Sequence, residues 1–332
     1  MRKWTIVIFL TGSLAAGIYV RVNLPTMPQQ DVLAGEATDF SAYLPLIYKP
    51  YDTFYVSKLG NNSDGLSWAS AWNELDQIDW SIIQPGHTIL IDGGSSEMVY
   101  TTILAPTASG EAGKPVTIKM AQETGRDGKV VIFGGRATQL PYCGQTNYIN
   151  ETGDFRTFGI AFQDVSWLVI DGTKWRGITI YGHGQNAIRY YSTSANITVR
   201  NMEMYDNGYA EFEDGAWQPE SAGVRIGGPN HVFERVIIHD NGHDALQAAT
   251  GPVDDKNANN LGNLTIRQSW LYNGRPHPTE PRSFNFCGHA DGVQIHNGAT
   301  VSGVTFEESI IGPGLTNGVI LGQTLTASGA QA

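Results

Sequence analysis

Three segments share one pattern and close on Asn-Gly: "NITVRNMEMYDNG" (196–208), "HVFERVIIHDNG" (231–242) and "NLTIRQSWLYNG" (263–274). Their Asn-Gly pairs begin at Asn207, Asn241 and Asn273, 34 and 32 residues apart. "SWLVIDG" (166–172) and "VTFEESIIGPG" (304–314) are looser members. A second set lies between them: "NAIRYY" (186–191), "AGVRIG" (222–227), "DALQAA" (244–249), "DGVQIH" (291–296) and "NGVILG" (317–322). Apolar and polar residues alternate in both sets, as in strands with one buried face. Each copy is too short to bury a core alone, so the copies must stack on one another.

Two strand sets per repeat, closed by Gly and Asn turns, predict an all-β right-handed parallel β-helix. Propeller blades need four antiparallel strands and a regular period, whereas here the second set is irregularly spaced. A solenoid tolerates that, because loops of any length can leave a turn. Residues 251–262 and 275–288 read as such loops, and the three Asn-Gly pairs are expected to stack as one column on successive coils.

Gly is abundant at 39 of 332 residues, which suits short strands and tight turns. The formal charge of −11 leaves no clustered basic surface for nucleic acid. It also disfavours a polyanion unless a metal or a local Arg cluster intervenes. Arg2 and Lys3 precede an apolar run from Trp4 to Val20, so residues 1–21 read as an export signal or signal anchor. That segment is the one expected contact with a membrane. Residues 22–50 read as a linker, 51–322 as the β-helix domain and 323–332 as a disordered tail. The expected location is extracellular or at the cell surface, and the expected state is a monomer. Cys143 and Cys287 can form a disulfide there or remain two thiols.

"DTFYVSKLGNNSDGLSWASAWNELDQI", followed by "IQPGHTILIDGG" and "GEAGKPVTIKM", resembles the entry segment of secreted right-handed parallel β-helix proteins of the pectate-lyase-like superfamily. The resemblance spans roughly residues 52–322. It implies a strand, an Asp-Gly turn, a short capping helix within "SWASAWNELDQIDW" and then a first coil. Such a cap hides the unpaired edge of the stack. The superfamily includes lyases, glycoside hydrolases, esterases, epimerases and non-catalytic adhesive modules, so fold does not fix activity.

Aligning the second set on Ile188, Val224, Leu246, Val293 and Val319 as inward residues turns Arg189, Arg225, Gln247, Gln294 and Ile320 outward as a polar stripe. Two positions before the core column stand Asn186, Ala222, Asp244, Asp291 and Asn317. An unpaired buried carboxylate is costly, so Asp244 and Asp291 are expected at the bend entering the strand, accepting backbone N–H groups. The functional reading of that column rests on the duplicated "GH…D…Q" in 242–247 and 288–294, which sets His243 and His289 beside the aspartates. Stacked carboxylates suit Ca²⁺ or an acid–base pair for a glycosidic bond, and a histidine beside them suits proton transfer. Arg189 and Arg225 suit a uronate carboxylate, Gln247 and Gln294 suit sugar hydroxyls, and Trp217 suits a stacking platform. His183 reads as a turn residue, and Lys174 and Arg176 as isolated bases.

These features predict an exported carbohydrate-active protein with an extracellular polysaccharide as partner. It is a polysaccharide lyase or glycoside hydrolase if Asp244, Asp291, His289 and His243 are catalytic. A non-catalytic carbohydrate-binding or adhesive module is the alternative.

Overall fold

The computed structural model describes residues 52–135, 158–191, 193–208, 222–249, 260–274, 290–296 and 300–321, together with 6–7 and 19–20. The chain divides into two units, residues 1–49 and 50–332. In the first, Ile6–Val7 pairs antiparallel with Tyr19–Val20. No helix among the described residues is long and apolar enough to cross a membrane.

The second unit is an all-β parallel β-helix. Its described strands form sheets of eight, seven and six strands. The eight-stranded sheet runs from Thr53–Val56 to Thr300–Glu307, the seven-stranded sheet from Glu97–Tyr100 to Ile310–Ile311, and the six-stranded sheet from Phe158–Phe162 to Val319–Leu321. Every pairing between these strands is parallel, including those joining Met202–Tyr205, Ile237–His239 and Trp270–Tyr272. A propeller is thereby excluded.

The core stacks like on like. Ile118, Ile170, Val199, Phe233 and Ile266 occupy one register column and are buried. Parallel stacking repeats every apolar contact at the strand spacing of about 4.8 Å. In the last described coil, the equivalents Phe306 and Val319 are 38% and 41% exposed.

Each Asn-Gly segment is two strands, one in each of two sheets. Ala195–Arg200 lies in the eight-stranded sheet and Met202–Tyr205 in the seven-stranded one. Asn201 alone makes the corner, with φ of 58°. Arg235, Gln268 and Glu308 make the same corner in later coils, at 53°, 50° and 48°. A left-handed residue turns the chain in one step, and Asn tolerates it better than Arg, Gln or Glu.

The expected capping helix is two 3₁₀ turns, Leu75–Gln77 and Trp80–Ile82. The Asp79 side chain accepts from the Ser81 N–H and starts the second. Trp72 bridges Val56 on the first strand, and Leu75, Ile78 and Ile83 are buried in the core. The loop expected to end at residue 262 gives way earlier, because a strand begins at Asn260 and carries an irregularity up to Asn263.

Candidate functional site

Strands of the six-stranded sheet align Ile188, Val224, Leu246, Val293 and Val319 in the predicted column. The adjacent column is Arg189, Arg225, Gln247, Gln294 and Ile320, also as predicted. The stripe faces away from the core, yet its first four members are only 7, 9, 1 and 6% exposed. They alternate away from the core and are nevertheless shielded from water. The Arg189 guanidinium lies over the Tyr191 ring, 5.3 Å from its centroid. Gln247 Nε2 donates to Gln294 Oε1 at 3.0 Å and to Asp244 Oδ2 at 3.2 Å.

Asp244 and Asp291 border this row, fully buried and just ahead of their strands. Asp244 Oδ1 accepts the Asp291 backbone N–H at 2.8 Å. Asp291 Oδ1 accepts both the backbone N–H and the Nδ2 of Asn317, at 3.0 and 2.8 Å. The carboxylates thus carry hydrogen bonds from one coil to the next. His243 Nδ1 stands 3.0 Å from Asp244 Oδ2. These backbone donors all meet the Oδ1 atoms, and the Oδ2 atoms face the amides of Gln247 and Gln294 at 3.2 and 3.5 Å. Among the described residues, no group of three or more His, Cys, Asp or Glu is arranged to hold a metal ion.

The Asn-Gly column is correct for two of its three members. His183 N–H donates to Asn207 Oδ1, and Asn207 N–H to Asn241 Oδ1, each at 3.1 Å. Asn273 is one residue out of register. Tyr272 pairs with His239, so Asn273 falls opposite Asp240 and shares its left-handed backbone, with φ of 51° at both. The physical reason is a missing residue: "YDNG" and "HDNG" place an aspartate before Asn-Gly, and "LYNG" does not. His183 is a buried turn residue whose Nε2 lies 3.3 Å from the Ile132 carbonyl.

A second polar centre was not anticipated. Phe133, Tyr181, Tyr205, His239 and Tyr272 occupy one register column on the outer face of the seven-stranded sheet. Their rings follow one another at centroid separations of 5.0, 5.1, 5.2 and 4.9 Å, the last three pairs nearly parallel. His239 Nδ1 meets Asp240 Oδ2 at 2.7 Å and its Nε2 meets Glu203 Oε1 at 3.3 Å. Arg176 ion-pairs with the same Glu203 oxygen, so three coils are tied together. Burial opposes the charged imidazole, but the bonds to Asp240 and Glu203 outweigh it and raise the His239 pKa. Burial likewise opposes the Glu203 carboxylate, and hydrogen bonds from His239 and Arg176 bring its pKa below the usual value. The signal was present in the repeats: Tyr205, His239 and Tyr272 all stand at the end of the aligned segments.

Lys174 donates to the Asp127 carbonyl, away from the aspartate column. His289, Trp217, Cys143 and Cys287 lie outside the described residues. His239 and Asp244 belong to one coil and flank its turn between the seven- and six-stranded sheets.

No family model matches the chain, and no curated protein matches it. Among solved structures, the chain is similar to the pectate lyase Pel9A at 15% identity and a TM-score of 0.46, over 76% of this chain and 61% of that one. It is similar to a rhamnogalacturonan lyase at 13% identity and 0.46, over 77% and 73%. A GH136 lacto-N-biosidase from Eubacterium ramulus gives 12% and 0.39, over 81% and 57%. The chain therefore spans about three fifths of the pectate lyase's length.

Proposed function

We propose that the protein acts on an extracellular polysaccharide at the outer face of its six-stranded sheet, as a lyase or glycoside hydrolase. One observation carries the reading. Arg189, Arg225, Gln247 and Gln294 form a row outside the core that is nonetheless shielded from solvent. Charged and amide groups are normally left in water on an outer face, and their burial away from a core marks a site. The arginines suit a sugar carboxylate, and the glutamines suit hydroxyls.

Beside the row, His243, whose Nδ1 stands 3.0 Å from Asp244 Oδ2, is the proton carrier. In an elimination, the base takes the proton next to the uronate carboxylate and its electron pair becomes a carbon–carbon double bond. The bond to the glycosidic oxygen breaks, and that oxygen is protonated. Neutralising the carboxylate with Arg225 and Arg189 makes that proton easier to remove. In a hydrolysis, a rim acid protonates the same oxygen while water attacks the sugar carbon.

A specific observation favours a second reading, a non-catalytic binding module. The carboxylates of Asp244 and Asp291 already accept backbone N–H groups, as structural residues do. Incubating the full chain with polyuronates and neutral glycans, with and without chelator, separates the readings. New reducing ends with an unsaturated-sugar absorbance indicate a lyase, and reducing ends alone a hydrolase. Binding with neither indicates the module. Arg225→Lys should weaken binding of the productive glycan at least tenfold. No cleavage and no binding across the panel would end the polysaccharide reading.

A further inference from the structure

The outer face of the seven-stranded sheet is not used by that reading, and it carries an ordered chemical row. Tyr181, Tyr205 and Tyr272 belong to one column, with His239 between the last two. The stacked rings fix one another, so their orientation is set before any partner arrives. None of the three phenol hydroxyls has a hydrogen-bond partner among the described residues. Burial, followed by the neighbouring Tyr181, pushes Tyr205 up to about 12, so its hydroxyl remains a donor at neutral pH. Beside the row, Glu203 is 3% exposed, and among the described residues neither its Oε2 nor Thr179 Oγ1 one strand away has a hydrogen-bond partner.

We infer that Tyr181, Tyr205 and Tyr272 form a contact strip for an uncharged glycan chain lying along the solenoid axis, separate from the Arg–Gln row. The inference rests on the polysaccharide reading above. Three features of the face select this occupant. Its rings recur at the strand spacing, about 4.8 Å, with the Tyr181 and Tyr205 hydroxyls one step apart and those of Tyr205 and Tyr272 two, a repeat comparable to successive sugars of an extended chain. Tyrosine offers rigid, amphipathic contact with a polar edge. Arg176 and His239 pair with Glu203 and Asp240, while Asp206 and Glu97 add negative charge beside Tyr205 and Tyr181, so the strip has no positive excess on a chain of net charge −11. That balance suits a neutral polymer, whereas a polyanion meets overall repulsion.

The test uses the full chain and a triple variant, Tyr181→Phe with Tyr205→Phe and Tyr272→Phe, which keeps the ring stack and removes the hydroxyls. Binding of cellohexaose, xylohexaose, mannohexaose and polygalacturonate is measured by calorimetry, with thermal melting as a fold control. The expected result is at least one neutral oligosaccharide bound by the native chain and bound tenfold or more weakly by the triple variant, with polygalacturonate affinity and melting unchanged. Equal affinity of the two proteins for the neutral ligand overturns the strip and leaves the polysaccharide reading intact. So does binding of polygalacturonate alone. Binding of none, with no cleavage, overturns both.

Discussion

Asp244 Oδ1 accepts the backbone N–H of Asp291 at 2.8 Å, so a side chain of one coil completes the main chain of the next. Asp244→Ala leaves that buried N–H unpaired and should destabilise the fold by about 1–3 kcal/mol. Asp244→Asn retains an oxygen for the N–H but turns an amide toward Gln247, and should recover part of the loss. Urea denaturation of both variants checks the order. An alanine variant as stable as the native chain would remove the structural role.

Gln247 Nε2 donates to both Asp244 and Gln294. Gln247→Glu replaces the donor with a carboxylate facing Asp244 in a buried place. The expected effect near neutral pH is a loss of roughly 3 kcal/mol or more. Protonating the new carboxyl relieves the repulsion, so the gap to the native chain should narrow as pH falls. Melting curves of both proteins at acidic and neutral pH measure that gap, and a pH-independent gap would contradict the charge explanation.

The His239–Glu203 pair predicts a stability window. The folded His239 pKa lies above its ordinary 6.5, so its contribution is complete below 6.5 and is lost as pH rises through the folded value. The folded Glu203 pKa lies below its ordinary 4.5, so its contribution is complete above 4.5 and is lost as pH falls through the folded value. Both act together between 4.5 and 6.5. His239→Phe keeps a ring in the stack and should abolish the alkaline decline in melting temperature. An unchanged decline would assign it to other groups.

Arg235 turns its corner with φ of 53°, where Asn201 does the same work at 58°. Relieving the left-handed backbone with Arg235→Asn should stabilise the protein by up to about 1 kcal/mol. Thermal melting at fixed pH tests it, and a lower melting temperature would show that the Arg side chain matters more than its backbone.

The parallel stack was legible because alternation and turn residues repeat together. Ile188, Val224, Leu246 and Val293 hold the same place in their alternating segments, and they pair in that register. The third sheet was hidden by reading each long segment as one strand. The clue is a slip of phase: Ile197 and Val199 face inward, Asn201 turns, and Met202 and Met204 face inward again. Asn273 was misaligned because Asn-Gly was weighed above the residues before it, whereas register follows Tyr205, His239 and Tyr272. The His239 network was missed because Arg176, Glu203 and His239 come from three coils, and separation along the chain conceals contact across coils. Shielding of the Arg–Gln row was illegible for another reason: alternation tells inside from outside but not what covers an outer face.

In the four later coils the single-residue corner at Asn201, Arg235, Gln268 and Glu308 leaves no slack between the eight- and seven-stranded sheets, whereas the earlier coils span the same junction with residues 92–96, 121–128 and 172–177. An added residue there would flip the phase of the next strand and expose its core side chains. Between the seven- and six-stranded sheets the chain has no such limit, as the unequal intervals 206–223, 240–245 and 273–292 demonstrate. Across these later coils one edge of the solenoid is therefore an inextensible spine. New length can enter beside the Asp–Gln–Arg row without disturbing the stack, so the turns on that edge can change while the frame stays constant.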